Sequence, residues 1–139
     1  MDGLLPSIKR IRINAAPDGN IQNTGFTLPS KAVVLDVFLD VRVAEVAGAA
    51  KTLDVGRTSD PNGYMAAVDV STTGLKKATL DNAGQTRGDL LVVDEDGAGT
   101  LVPEADVDGG GETIQYQAGS LGDWVQFRGD IYILYANLV

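Results

Sequence analysis

The chain of 139 residues contains no cysteine and no histidine. Without cysteine it can form neither a disulfide nor a thiolate metal site. Without histidine it lacks the commonest general base and metal ligand at neutral pH, and every Ser-His or Cys-His nucleophile arrangement is excluded. These two absences exclude most familiar kinds of active site.

Aromatic residues are also few, at 6% of the chain, and no apolar run approaches the length of a membrane span. The N-terminus lacks the apolar core of a signal peptide, so we expect a protein made and used in soluble form, with no membrane partner. The formal net charge of −8 opposes binding to a nucleic-acid backbone.

What the chain does contain is the alternation typical of β-strands. The clearest case lies within residues 31–46, where five apolar residues alternate with polar ones: Leu35, Val37, Leu39, Val41 and Val43. A period of two with β-branched residues predicts a strand that covers a core on one face and meets water on the other. Phe38 interrupts the polar face. It indicates either a second packing layer or covering loop, or a subunit contact, since aromatic residues are enriched where protein surfaces meet.

The rest of the chain suggests further short strands. Residues 51–56 are interpreted as a strand that returns beside 35–46 in an antiparallel hairpin. A single helical turn is predicted to carry Tyr64, Met65 and Val68 inward. Strands are also predicted at 75–80 and 112–119, and a second hairpin at 89–102. The final strand, within 130–139, is apolar on both faces, which predicts a central position or cover on both sides.

Roughly eight short strands at intervals of about ten residues, with no helix of ordinary length, predict an all-β fold. We expect an antiparallel two-sheet sandwich, jelly-roll-like or Greek-key in topology. The length predicts one domain, and the hydrophobic content of 44% predicts a globular chain rather than a disordered one. Residues 26–139 would form the sandwich. Residues 1–25 would form an edge segment or an extended N-terminal arm that reaches a neighbouring molecule.

Two acidic loops partly match the sequence pattern of a calcium site. DEDG at 94–97 matches the opening of a calcium loop, but Ala105 stands where the twelfth-position glutamate belongs. In DVDGGGE at 106–112 the corresponding position is Gln117. Ordinary turns are therefore the favoured interpretation, and we predict no metal and no cofactor.

Two other groupings suggest chemistry only weakly. Asp36 and Asp40 could be the paired carboxylates of a glycosidase, but nothing near them in sequence would raise one pKa, and a solvated face is favoured. Trp124 with Tyr116 and Phe127 could form a sugar-stacking platform, although core packing is the favoured role. We therefore predict no catalytic residue and no enzyme.

Three stretches resemble small structural proteins encoded beside capsid genes in tailed bacteriophages. They are TLPSKAVVLDVFLDVRVAE, TLDVGRTSDPNGYMAAVDVSTTGLKKATL and the terminal GDIYILYANLV, which lie within 27–80 and 129–139. The resemblance implies a virion protein with a β-sandwich body, often a homotrimer, on the outside of the head as a decoration or cement protein. Its partners would be its own copies and the major capsid protein, and it would be made in the host cytoplasm. Some relatives are head fibres, neck or tail components, so the station in the particle stays open.

The sequence also suggests which residues make these contacts. Lys9, Arg10 and Arg12, with the turn-rich segment up to Gly25, are predicted to contact the shell. Deletion of residues 1–25 is then expected to leave a folded body that no longer binds capsids. Phe38, Trp124 and Phe127 are predicted to form the subunit interface. A sugar-binding adhesion module that recognises the host surface is the alternative function.

Overall fold

The computed structural model describes residues 6–29, 32–46, 48, 51–58, 60–77, 113–119 and 122–137. Within these ranges the chain forms eight β-strands and no helix. The strands are β1 (Ser7–Ile13), β2 (Gln22–Thr27), β3 (Ala32–Val43), β4 (Thr52–Arg57), β5 (Asp60–Asp69), β6 (Gly74–Lys77), β7 (Thr113–Ala118) and β8 (Arg128–Asn137).

These strands form two four-stranded sheets in which all neighbours are antiparallel. The first sheet has the order β1-β8-β3-β6 and the second has the order β2-β7-β4-β5. The chain therefore passes from one sheet to the other at every step except β4 to β5, which is the strand order of a jelly roll. The predicted all-β sandwich is confirmed, and of the two topologies considered the strand order is that of the jelly roll.

The core lies between the two sheets and draws on both of them. Side chains that alternate along each strand meet there because successive residues of a strand point to opposite faces. The first sheet supplies Ile11, Ile13, Val37, Leu39, Val41, Ile131 and Ile133, and the second sheet supplies Leu53, Val55, Met65 and Ile114.

Strand β3 confirms the predicted alternation only in its middle. Val37, Leu39 and Val41 are buried as predicted, but Leu35 and Val43 are exposed, which corrects the prediction for those two residues. The reason is a register shift at each end of the pairing with β8, between Val34 and Asp36 and between Val41 and Val43. An extra residue in one strand changes the face to which its neighbours point. Val34 is therefore buried where Leu35 was expected to be.

The predicted hairpin between 35–46 and 51–56 is wrong. β3 pairs with β8 and β6 in the first sheet, whereas β4 pairs with β5 and β7 in the second. The hairpin was predicted because two strands that follow each other in sequence and are joined by a short turn usually pair. In this sandwich they face each other across the core instead.

The predicted helical turn at 64–68 is also wrong, because these residues belong to β5. Tyr64, Met65 and Val68 are buried as expected, but they reach the core through irregularities in a strand. Ala67 has a φ of 51°, and its backbone N–H donates to the Asp54 carboxylate at 2.7 Å. This irregularity interrupts the alternation of inward and outward side chains along β5. The sequence of β5 therefore lacks the two-residue period of a regular strand.

Strand β8 lies between β1 and β3, so its predicted central position is confirmed. Strand β1 is at the edge of the first sheet, paired with β8 along its whole length, and β2 is at the edge of the second sheet. Ile11 and Ile13 of β1 belong to the core. Deletion of residues 1–25 would therefore remove core side chains together with any surface contact, and substitutions are the better test of that segment.

Candidate interaction surfaces

The three cations predicted to contact the shell lie on β1 but point in different directions. Lys9 shares the inward parity of Ile11, and its Nζ lies 5.4 Å from the centre of the Phe26 ring on β2. With Thr24 and Gly25, Lys9 lines a cleft of about 330 Å³ between the exposed edges of the two sheets. Arg10 and Arg12 have the opposite parity and lie on the outer face of the first sheet.

Arg12 is part of a charge cluster within one molecule. Its Nε lies 3.2 Å from one carboxylate oxygen of Asp130, and the Nε of Arg42 lies 3.3 Å from the other. Arg42 also donates to the backbone carbonyl of Ile13 at 3.2 Å. Because Asp130 is buried, the two guanidinium groups compensate a charge that would otherwise be costly. This cluster ties together β1, β8 and the end of β3.

The same face carries a group of apolar side chains that extends over all four strands of the first sheet. We call it the outer apolar face: Ile8, Phe38, Leu75, Tyr132 and Leu134. Ile8 is 70% exposed and Leu75 is 58% exposed, and together the five residues line an open groove of about 430 Å³. Contiguous exposed apolar residues on a soluble protein indicate an interaction site. Phe38, predicted as a subunit contact, therefore lies in a suitable setting, and its role stays a prediction.

Charged residues flank the outer apolar face. Asp40 lines the groove beside Leu75, and Arg10 lies on β1 opposite Tyr132. Within the described ranges neither the guanidinium group of Arg10 nor the carboxylate of Asp40 makes a hydrogen bond or an ion pair. Lys77 on β6 places its Nζ 6.0 Å from the centre of the Phe38 ring.

The other predicted interface residues pack within the molecule. Phe127 is fully buried in the core, which corrects its assignment to the subunit interface because its side chain has no surface to offer. Trp124 is half-buried and stacks edge-on against Phe127, with ring centres 5.8 Å apart and planes at 83°. This packing accounts for both rings without a flat sugar-stacking platform. An interface role for Trp124 stays a prediction.

A buried carboxylate holds the segment that carries these two rings. Glu45 is 1% exposed, and its Oε2 accepts hydrogen bonds from the backbone N–H groups of Val125, Gln126 and Phe127 at 2.9–3.2 Å. Its Oε1 accepts from its neighbour Val46 at 3.1 Å. Glu45 thus fixes the approach to β8 and is a structural residue.

In the described part of the chain the acidic side chains form neither a metal site nor the carboxylate pair of a glycosidase. No group of three or more acidic side chains there could hold a metal ion, and no helix there is long and apolar enough to cross a membrane. Asp36 and Asp40 lie four residues apart on one strand, about 13 Å between Cα atoms at standard strand geometry, whereas glycosidase carboxyl groups lie about 5–9.5 Å apart. The predicted hairpin at 89–102 and the acidic loops at 94–97 and 106–112 lie outside the described residues.

Two pKa shifts among the described residues have local structural causes. The hydroxyl and backbone N–H of Ser71 donate to Asp69 and lower the pKa of that carboxyl below its ordinary value. Burial, helped by the charge of Asp18, raises the pKa of Tyr116. Neither residue belongs to the outer apolar face or to a convergent set of polar groups.

Fold and surface together define a small jelly-roll protein that presents contact surfaces. Its fold is similar to that of chains in three solved bacteriophage capsids. One is the capsid of Ralstonia phage GP4, with a TM-score of 0.67 and 21% identity over 100% of this chain and 89% of the other. Another is the capsid asymmetric unit of cyanophage Pam1, with a TM-score of 0.63 and 18% identity over 97% and 85% of the two chains. The third is the acidic stable capsid structure of Helicobacter pylori bacteriophage KHP30, with a TM-score of 0.59 and 15% identity over 95% and 87%.

At these identities the likeness shows a common fold. No protein-family model matches the chain, and no curated protein sequence is significantly similar to it.

The outer apolar face was missed by the sequence analysis apart from Phe38. Two signals could have revealed it. Ile8 has the same strand parity as Arg10 and Arg12, which makes it an apolar residue on a polar face. The two-sided apolar character of the last strand was explained by its central position alone, although Tyr132 and Leu134 point outward and line the groove.

Proposed function

We propose that this chain is a non-enzymatic structural protein of a bacteriophage virion and that it decorates the outer surface of the head as a cement protein. The observation that carries the proposal is the similarity of nearly the whole chain to chains of phage capsid structures. The matched chains are of similar length, since this chain covers 85–89% of each. A single jelly roll of this size suits an accessory component attached to a shell.

The physical mechanism is binding linkage. A protein that binds the assembled shell but not its free subunits stabilises the shell by its binding free energy. As a homotrimer it would contact several shell subunits at once, so that modest affinities at each contact combine into tight attachment. Neither role requires a catalytic group, and both require a rigid body with exposed contact surfaces, which the sandwich supplies.

The shell contact is proposed at the cleft between β1 and β2, where Lys9 lies. Of the three predicted cations, Arg12 is held by Asp130 inside the molecule, and Arg10 lies on the outer face of the first sheet. Lys9 is exposed at the rim of the cleft, on sheet edges whose backbone groups can accept another strand. The partner would be an extended, acidic segment of the major capsid protein.

The test uses heads purified from a phage strain that lacks this protein. Wild-type protein added to such heads is expected to bind in a fixed ratio to the major capsid protein, to appear as density on the outer surface by electron microscopy, and to raise the temperature at which the heads release DNA. Lys9→Glu is expected to weaken binding at least tenfold. Lys76→Glu, which reverses a charge on β6, is the matched control and should bind normally.

The alternative stations give different outcomes. A protein found in a few copies per particle, or only with tails, would be a neck, fibre or tail component and would overturn the cement assignment. Reproducible hits for the purified protein on a glycan array, with no binding to heads, would favour host adhesion instead. No feature of the described surface favours adhesion at present, because the Trp124 ring packs edge-on against Phe127.

A further inference from the structure

We infer that the outer apolar face is the contact between copies of this chain, with the β1 half of one copy docked on the β3–β6 half of the next. The inference rests on the proposed homotrimer and names the surface that would form it. It is argued from the apolar side chains, the charges beside them and the balance of charge in the chain.

The face divides into two unlike halves. On β1, Ile8 and Arg10 point outward from positions two residues apart, so this half offers an apolar side chain followed by a guanidinium group. On β3 and β6, Phe38 and Leu75 line the groove beside the carboxylate of Asp40. Both halves therefore present apolar side chains, and the charges nearest to them, Arg10 on one half and Asp40 on the other, have opposite signs. Lys77 adds a positive charge beside Phe38 on the second half.

The two charges do not pair with each other within one molecule. Arg10 and Asp40 are two strands and two residues apart, about 12 Å between Cα atoms at standard sheet spacings. Neither side chain makes an ion pair or a hydrogen bond within the described ranges, whereas the neighbouring Arg12, Arg42 and Asp130 form a closed cluster. A second copy that places its Ile8 in the groove brings its own Arg10 toward Asp40. The apolar side chains and the Arg10–Asp40 pair of charges thus complement each other between copies.

The negative charge that gives the chain its net charge of −8 is concentrated in one segment. Residues 78–112 contain nine acidic residues and one arginine, which accounts for the whole net charge. The remaining residues hold ten acidic and ten basic side chains. The negative excess therefore lies outside β1, β3 and β6, which together hold six basic and two acidic side chains.

The contact is heterologous, because different halves of the face meet. Heterologous contacts close into a ring when the rotation between neighbours allows it, and otherwise they form open filaments. A closed ring of three, with the outer apolar faces directed toward the axis, agrees with the homotrimer proposed above.

The first test measures the mass of the purified full-length protein by sedimentation velocity. The wild type is expected to sediment as three chains. Ile8→Asp and Leu75→Asp are each expected to reduce the mass to that of one chain. Ile21→Asp is the matched control, since Ile21 is 50% exposed but lies between β1 and β2, and it should leave the mass unchanged. Circular dichroism checks that each variant is folded.

The second test reverses the charges. Arg10→Glu and Asp40→Lys are each expected to weaken association at least tenfold, and the double variant should recover most of it. Asp69→Lys, at an exposed position on the second sheet, is the charge control. Recovery in the double variant requires that the two positions meet across the interface, which a general loss of stability would not produce.

The third test uses the absence of cysteine in the chain. Arg10→Cys and Asp40→Cys are each expressed alone and then together, and the products are treated with a short thiol cross-linker. Covalent dimers are expected only on co-expression, because the two positions meet only between different chains. Cross-linking of either variant alone would indicate that like halves meet and would overturn the heterologous arrangement.

Two results would overturn the inference outright: a monomeric wild type, or a trimer that survives all of the face variants. Both are distinguishable from failure of the proposed function. Head binding by a monomer would leave the cement role intact and remove this interface. A trimer that dissociates in the face variants as expected, but whose wild type never binds heads, would support the interface and remove the cement role.

Discussion

At the scale of single residues, Glu45 shows how a side chain far away in sequence can fix a loop. Its carboxylate accepts from backbone groups about 80 residues further along the chain. A charged residue at the end of a strand is usually exposed, and nothing nearby in the sequence marks this one as buried. The role of Glu45 could be recognised only once the fold had brought the two segments together.

Glu45→Ala is expected to destabilise the protein by about 2–4 kcal/mol, because three buried or half-buried backbone donors lose their acceptor. Glu45→Gln keeps one oxygen acceptor and is expected to cost less. The free energy of unfolding can be measured in urea, with the emission of the single tryptophan, Trp124, as the probe. A Glu45→Ala variant within about 0.5 kcal/mol of the wild type would contradict the assignment of these hydrogen bonds as stabilising.

At the scale of elements, alternation in the sequence predicted where strands lie but not which strands pair. The middle of β3, the centre of β7 and the whole of β8 could be predicted because apolar residues recur there at every second position or on both faces. The bulges in β3 could not, since an extra residue erases the period locally and β3 contains no glycine or proline to mark it. In β5, Pro61 and Gly63 lie in one irregular stretch, whereas the stretch between Met65 and Val68 has no such marker. Which strands pair is decided by contacts across the core between distant parts of the chain. A local sequence pattern does not predict these contacts.

The two faces of β8 provide an element-scale prediction. Ile133 points into the core and is fully buried, whereas Leu134 lies on the outer apolar face. Ile133→Ala is expected to cost about 2–5 kcal/mol, because it leaves a cavity between the sheets. Leu134→Ala is expected to cost about 1 kcal/mol or less in the monomer, since its side chain keeps contact with solvent.

Urea denaturation of the two variants at low protein concentration gives both values, with the Ile8→Asp background used to keep the protein monomeric. Similar losses for the two substitutions would mean that the outward face of β8 is covered in the monomer. That result would also remove the reason for placing another copy on it.

At the scale of the whole molecule, the jelly roll joins segments that are far apart in the chain. β1 pairs with β8, and the ion pair between Arg12 and Asp130 links residues 118 positions apart. Among the described strands, only β4 and β5 are both consecutive and paired. β1 and β8, which are neighbours in the first sheet, can therefore pair only when most of the chain is in place.

This topology predicts slow and cooperative folding of the monomer. Loops must close before the long-range pairs form, so refolding is expected to take milliseconds to seconds, as in other all-β sandwiches. Because both sheets contribute to one core, unfolding should be a single transition. Trp124 emission reports on the packing against Phe127, and far-ultraviolet circular dichroism reports on both sheets. The two probes should give coincident urea curves in the Ile8→Asp background. Separate transitions would mean that the sheets unfold independently, which a core shared between them does not allow.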